Sequence, residues 1–163
     1  MVNSYSKQAI YNTLGNTIYL FCIWILTVLI VRISGYEDAG VFSIAMSIAN
    51  IFYMINIFGM RSYQVSDVNN QFSSGCYIAS RYFTIAAGAV MCVFYLAFVG
   101  YEQTLFITVL LFFGYRSFES MSDVYFGELQ KCNRLDICFY SMSGKGIISV
   151  LLFTFIYCFI KKI

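Results

Sequence analysis

The chain has 163 residues, of which 60% are hydrophobic, 20% aromatic and only 11% charged, with a net charge of +2 and neither histidine nor proline. Soluble domains carry about a quarter charged residues, so this composition excludes a water-soluble globule. A small net charge without a basic run gives no sign of a nucleic-acid partner. The six cysteines, Cys22, Cys76, Cys92, Cys132, Cys138 and Cys158, form no CxxC pair, and no histidine accompanies them. They are expected to be small buried hydrophobes, and neither metal nor cofactor is expected. The usual base for a serine or cysteine nucleophile is absent, so no enzyme is expected either.

Residues 1–16 are polar, with one cation, Lys7, and with Ala9, Ile10 and Leu14 spaced for an interfacial turn or two. The apolar run 17–33 is too long for a signal peptide and shows no small-residue cleavage site, so it predicts an uncleaved signal-anchor helix ending at Arg32. A tight turn over 34–38 leads to a second span, 39–60, about 33 Å long at 1.5 Å per residue. Within it Gly40, Ser43, Ser47, Asn50 and Met54 recur at threes and fours. Such a stripe is expected to pack closely against a neighbour rather than line a substrate path.

The longest polar stretch, 61–81, is bounded by Arg61 and Arg81 and is expected to be a loop, in part an interfacial helix. A third span, 82–99, carries Thr84, Gly88 and Cys92 at four-residue spacing, another close-packing seam. After a turn at 100–104 comes the fourth helix, 105–127. It begins as a membrane span and then places Arg116, Glu119 and Asp123 on one face. Its eleven Leu, Ile, Val and Phe residues favour insertion by about 5 kcal/mol, whereas one central charge opposes it by roughly 3. It must lean on partners. A hydrophilic joint, 128–136, precedes the fifth helix, 137–160.

With the N-terminus in the cytoplasm, Lys7, Arg61, Arg81, Lys131 and Arg134 fall inside, against Arg32, Lys161 and Lys162 outside. The positive-inside rule favours that orientation. Lys145 lies eight residues into the fifth helix, about 12 Å, at the depth of Glu119 on the antiparallel fourth. Arg116, Glu119, Asp123 and Lys145 are therefore expected to form one network facing a hydrated interior. A structural role in helix pairing is the simpler alternative, and Lys145 alone could snorkel beside Gly144 and Gly146.

The segments NTLGN, FGMRSYQVSDV, YIASRYFT, YRSFESMSDVYFGELQKCNRLD and SMSGKG follow one another in an order and spacing that cover nearly the whole chain. In this the chain resembles the N-terminal part of the polysaccharide and O-antigen flippases of the multidrug/oligosaccharidyl-lipid/polysaccharide exporter superfamily. The resemblance implies an all-α, polytopic integral membrane protein with about five transmembrane helices, an incomplete form of an N-terminal six-helix lobe. The implied task is to carry a polyprenyl-pyrophosphate-linked oligosaccharide across the bacterial cytoplasmic membrane for surface polysaccharide. Arg116, Glu119, Asp123 and Lys145 would belong to the polar interior. Arg61, Gln64, Asp67, Arg81, Lys131 and Arg134 would sit at the cytoplasmic rim. Five helices where six are implied predict a partial first lobe, a fragment or one half of a split transporter, whose partners are the lipid-linked oligosaccharide, membrane lipids and a second lobe or subunit. The alternative is a small multispanning subunit whose charged helix faces pack on a larger partner without transport of its own.

Overall fold

Without proline, apolar runs propagate as helix until a residue accepts positive φ, and among the described residues such positions mark every helix boundary except that between the third and fourth helices. The computed structural model describes residues 2–160 except 68 and 70, with side chains described from 8 to 157. Lys161 and Lys162, and the side chains of Lys7 and Cys158, lie outside the described residues. The elements are α1 (Val2–Ser34), α2 (Tyr36–Ile57), α3 (Met60–Ser66), α4 (Ser74–Val99), α5 (Gln103–Lys131) and α6 (Leu135–Ile160). Among the described residues there is no strand. Gly35 at φ 92° separates α1 from α2, and Gly100 at φ 71° ends α4, its N–H donating to the Leu96 carbonyl at 3.2 Å. Asn133 at φ 55° turns the chain between α5 and α6.

Four stretches of described residues are long and apolar enough to cross a membrane: Gln8–Ser34, Tyr36–Ser66, Ser74–Val99 and Leu135–Tyr157. The chain is thus an all-α polytopic membrane protein, as expected. α5 is long enough but is not among the four, because Arg116, Glu119 and Asp123 interrupt its apolar sequence.

All five expected helices begin earlier than the sequence predicts, three of them by two or three residues and two by two turns or more. α1 extends back through the polar segment expected to hold only a turn or two, since nothing between residues 2 and 34 breaks helix. α4 starts at Ser74 rather than 82, so the polar tract 61–81 resolves into α3, a short loop and the first two turns of α4.

The contacts divide the chain into two compact units. In one, α1 pairs with α6. A Cβ on Gly15 would come within 2.9 Å of the Phe139 Cα, and one on Gly146 within 3.0 Å of the Cys22 Cβ, so these glycines allow the backbones to approach. Gln8 ties the ends: its carbonyl oxygen accepts the Leu135 N–H at 3.1 Å and its amide donates to the Asn133 carbonyl. Gln8 thereby satisfies a free N–H at the start of α6 and explains why α1 is long.

The other unit contains α2 from Gly40 on, α3, α4 and α5. On α2, Ala45, Ile48, Ala49 and Phe52 recur at threes and fours and pack on Cys92 and Leu96 of α4 and on Val109 and Phe113 of α5. Phe42 meets Phe112 edge to face at 4.9 Å. The stripe expected to pack does not. Ser43, Ser47 and Met54 are exposed, and the Ser47 hydroxyl donates to the Ser43 carbonyl in its own helix. The apolar face outcompeted it for the interior.

Candidate functional site

The site is built on a break in one apolar span. Tyr36–Ser66 would run straight for about 46 Å, yet it stops at Ile57 and restarts at Met60. Between them Phe58 has φ 39° and Gly59 φ 64°. A break frees carbonyls that lipid cannot satisfy. Here the Asn56 carbonyl accepts the Arg81 guanidinium at 2.6 Å and the Thr84 hydroxyl at 2.8 Å, both from one face of α4.

Arg81 is 1% exposed and its other terminal nitrogen reaches Asp123 on α5 at 3.1 Å. The second oxygen of Asp123 takes Arg61 of α3 at 3.2 Å. Arg61 also donates to Gln130 at 3.0 and 3.3 Å and stands 5.9 Å from the Phe126 ring centroid. Two cations therefore share one carboxylate, joining three helices. Arg61 and Asp123 are 23% and 19% exposed, so the cluster opens at their edge. Asn56 completes the interior. Its amide donates to Ser117 at 3.3 Å, and its buried side-chain oxygen, aimed at the space that a Cβ on Gly88 would occupy, has no partner.

Nearby, Arg116 and Glu119 pair one helical turn apart on α5, with the guanidinium 5.3 Å from the Tyr53 ring centroid on α2. Gln64, buried in the room left by Gly127, donates to Glu128 at 3.0 Å, and Ser74 donates to the same oxygen at 2.7 Å. Asp67 lies outside the spans. It accepts the N–H groups of Gln71 and Phe72 at 3.0 and 3.3 Å and the Tyr77 hydroxyl at 2.9 Å. Above all the Gln71 N–H, then Tyr77, hold its carboxyl below the ordinary value of 3.8. Lys131 stands 5.9 Å from the Tyr77 ring centroid.

The structure thus groups the expected residues differently. Asp123 is held by Arg61 and Arg81, which the sequence assigns to the rim, and Arg81 is an interior residue about 10 Å along α4. Lys145 belongs to the α1–α6 unit, where its ammonium lies 3.9 Å from the Tyr19 ring centroid. Arg134 makes an exposed pair with Asp136 at 3.3 Å. Cys76 and Cys132 are exposed, contrary to the expectation of buried thiols, because one lies in the first turn of α4 and the other in the turn after α5; Cys22, Cys92 and Cys138 are buried. Sequence reasoning leaves Asn56 open between packing and a substrate-lining face, and does not place Thr84, Tyr53 or Gln130 in the site. A polar Asn near the end of an apolar span was the available signal for the first.

Among the described residues no group of three or more His, Cys, Asp and Glu side chains is placed to hold a metal ion. Chemically, the cluster offers two guanidinium groups around one carboxylate, and guanidinium groups suit oxyanions. Compared with protein-family models, with curated proteins and with solved structures, the chain matches none of them.

Proposed function

We propose that this chain takes part in moving a polyprenyl-pyrophosphate-linked oligosaccharide across the bacterial cytoplasmic membrane, with its N-terminus in the cytoplasm. The observation that carries the reading is the convergence of Arg61 and Arg81 on the single carboxylate of Asp123. Such a concentration of charge is costly in a membrane-spanning bundle, and a role in binding a pyrophosphate accounts for it. Three of the segments on which the resemblance rests supply the cluster: FGMRSYQVSDV holds Arg61, YIASRYFT holds Arg81, and YRSFESMSDVYFGELQKCNRLD holds Asp123. The sugars and pyrophosphate would use the polar edge, and the polyprenyl tail would stay in lipid. Alternating access needs two bodies that move against each other, so the chain is assigned to one lobe, working with a second lobe or subunit. α5 crosses the membrane in this reading, its charges turned to the cluster.

The test is translocation of a radiolabelled lipid-linked oligosaccharide in inverted membrane vesicles from cells that produce the whole transporter. Arg61→Gln should lower translocation at least tenfold while chain level and membrane insertion stay unchanged. Wild-type rates in Arg61→Gln and Arg81→Gln would overturn the reading. If, in addition, Arg116→Ala removed a co-purifying protein, the chain would be a packing subunit instead.

A further inference from the structure

The break between α2 and α3 is locked by the same three charges that form the site. Arg81 holds the α2 side of the break, through the Asn56 carbonyl at 2.6 Å. Arg61, two residues past Gly59, holds the α3 side, through Asp123 at 3.2 Å. Asp123 is the shared member, bonded to Arg81 at 3.1 Å. α3 is seven residues long, begins at a glycine in the left-handed region, and follows a phenylalanine at φ 39°, a conformation that a side chain with a Cβ adopts at a cost. Discontinuous spans of this kind are tolerated where the freed backbone groups find partners, and they change shape when those partners change.

We infer that Asp123 is a built-in stand-in for an anionic phosphoryl group, and that a phosphate or pyrophosphate displacing it from Arg61 frees α3 to pivot at Phe58–Gly59. This deepens the proposed function and rests on its reading of the cluster as an oxyanion site. The competition is asymmetric. A pyrophosphate brings more charge and more acceptor oxygens than one carboxylate, so it takes the one terminal nitrogen of Arg61 and the one of Arg81 that Asp123 holds. Asp123 already borders the open edge and exchanges its partners for water there. Arg81 keeps its bond to Asn56, so α2 stays anchored to α4 while α3 loses its charged tie to α5. Its remaining polar ties to α5 are Arg61 to Gln130 at 3.0 and 3.3 Å and Gln64 to Glu128 at 3.0 Å, all uncharged on at least one side, and they set how far α3 opens. The ligand shifts the equilibrium only by its differential affinity for the two positions of α3, and the released Asp123–Arg61 pair supplies that difference.

The experiment is hydrogen exchange of the α3 amides, read by mass spectrometry, on the full chain in phosphatidylcholine nanodiscs. One arm adds inorganic pyrophosphate, with its binding measured by calorimetry; another replaces part of the lipid by phosphatidylglycerol and adds no pyrophosphate. Pyrophosphate should bind and raise exchange over 62–66 at least tenfold, with α5 unchanged. Asp123→Asn should show the raised rate before any ligand is added. Arg61→Gln, which cuts the same tie from the other side at a partly exposed position, should do so too and should respond no further.

Binding with no change in α3 exchange would overturn the hinge and leave the oxyanion site standing. Raised exchange with phosphatidylglycerol alone, and no binding of pyrophosphate, would keep the hinge, assign its trigger to lipid headgroups and overturn the proposed substrate. No response in either arm, with wild-type exchange in Arg61→Gln, would overturn both.

Discussion

At the residue scale, Arg81 shows how one side chain answers two costs at once. The guanidinium neutralises a carboxylate and satisfies a carbonyl that a helix break had freed, both inside a membrane-spanning bundle. Arg81→Met removes both partners' partner at similar volume and should destabilise the chain by about 3 kcal/mol or more, measured by denaturant unfolding in detergent micelles. Arg134→Ala, at an exposed pair, should change stability by no more than roughly 0.5 kcal/mol in the same assay. The pH behaviour of the 67–72 loop is another residue-scale matter. Hydrogen bonds from Gln71, Tyr77 and Phe72 lower the Asp67 carboxyl below 3.8. The carboxylate therefore contributes fully above that value, and its contribution disappears as pH falls through the lower folded-state value. Protection of the Gln71 and Phe72 amides should be flat from neutral pH to about 4 and should collapse only in stronger acid, which exchange measurements corrected for intrinsic rates will read. Sequence alone pointed to Asp67 and Arg81 as charges at a polar tract. Which of them is buried follows from α4 starting at Ser74, and that start depends on Ser74 and Gln64 sharing Glu128 of α5.

At the element scale, absent side chains do as much as present ones. Gly88 leaves room for Asn56, and Gly127 leaves room for Gln64, both of them buried. An added methyl at either position meets a side chain held by hydrogen bonds, so Gly88→Ala and Gly127→Ala should each lower stability by about 1–3 kcal/mol. Gly114, also within α5, has nothing within 4 Å of its would-be Cβ. Gly114→Ala should be neutral or stabilising by up to about 1 kcal/mol, since alanine is the better helix former. Melting temperatures of the three variants in one detergent will separate contact from propensity. The seam of Thr84, Gly88 and Cys92 was legible from its four-residue spacing, and each member packs or bonds inside the unit. The stripe on α2, spaced at threes and fours, stayed exposed apart from the half-buried Asn50. Periodicity identifies a face, but a neighbour with the matching surface decides whether that face is covered.

At the scale of the whole molecule, the proposed function requires α5 to cross the bilayer with the four apolar spans, and two cysteines test it. Cys76 lies in the first turn of α4, Cys132 follows α5, and both thiols are exposed. If α4 and α5 both cross, the two thiols lie on the same side. A membrane-impermeant maleimide should then label both from the same face, which in the proposed orientation is the one that inverted vesicles expose, in a chain with Cys158→Ser, while buried Cys22, Cys92 and Cys138 stay unlabelled. Labelling of the two from opposite faces would show that α5 does not span. Composition and the spacing of apolar residues determined by themselves that the chain is an all-α polytopic membrane protein and which charges are unusual. Those are properties of local sequence and of transfer from water, which need no knowledge of neighbours. Only the tertiary structure decided that Asp123 is shared by Arg61 and Arg81, that a span breaks at Phe58–Gly59, and that Gln8 starts α6. Each of these depends on which residues distant in sequence meet, and a polar group in lipid is stabilised by the partner it finds, not by its place in the chain.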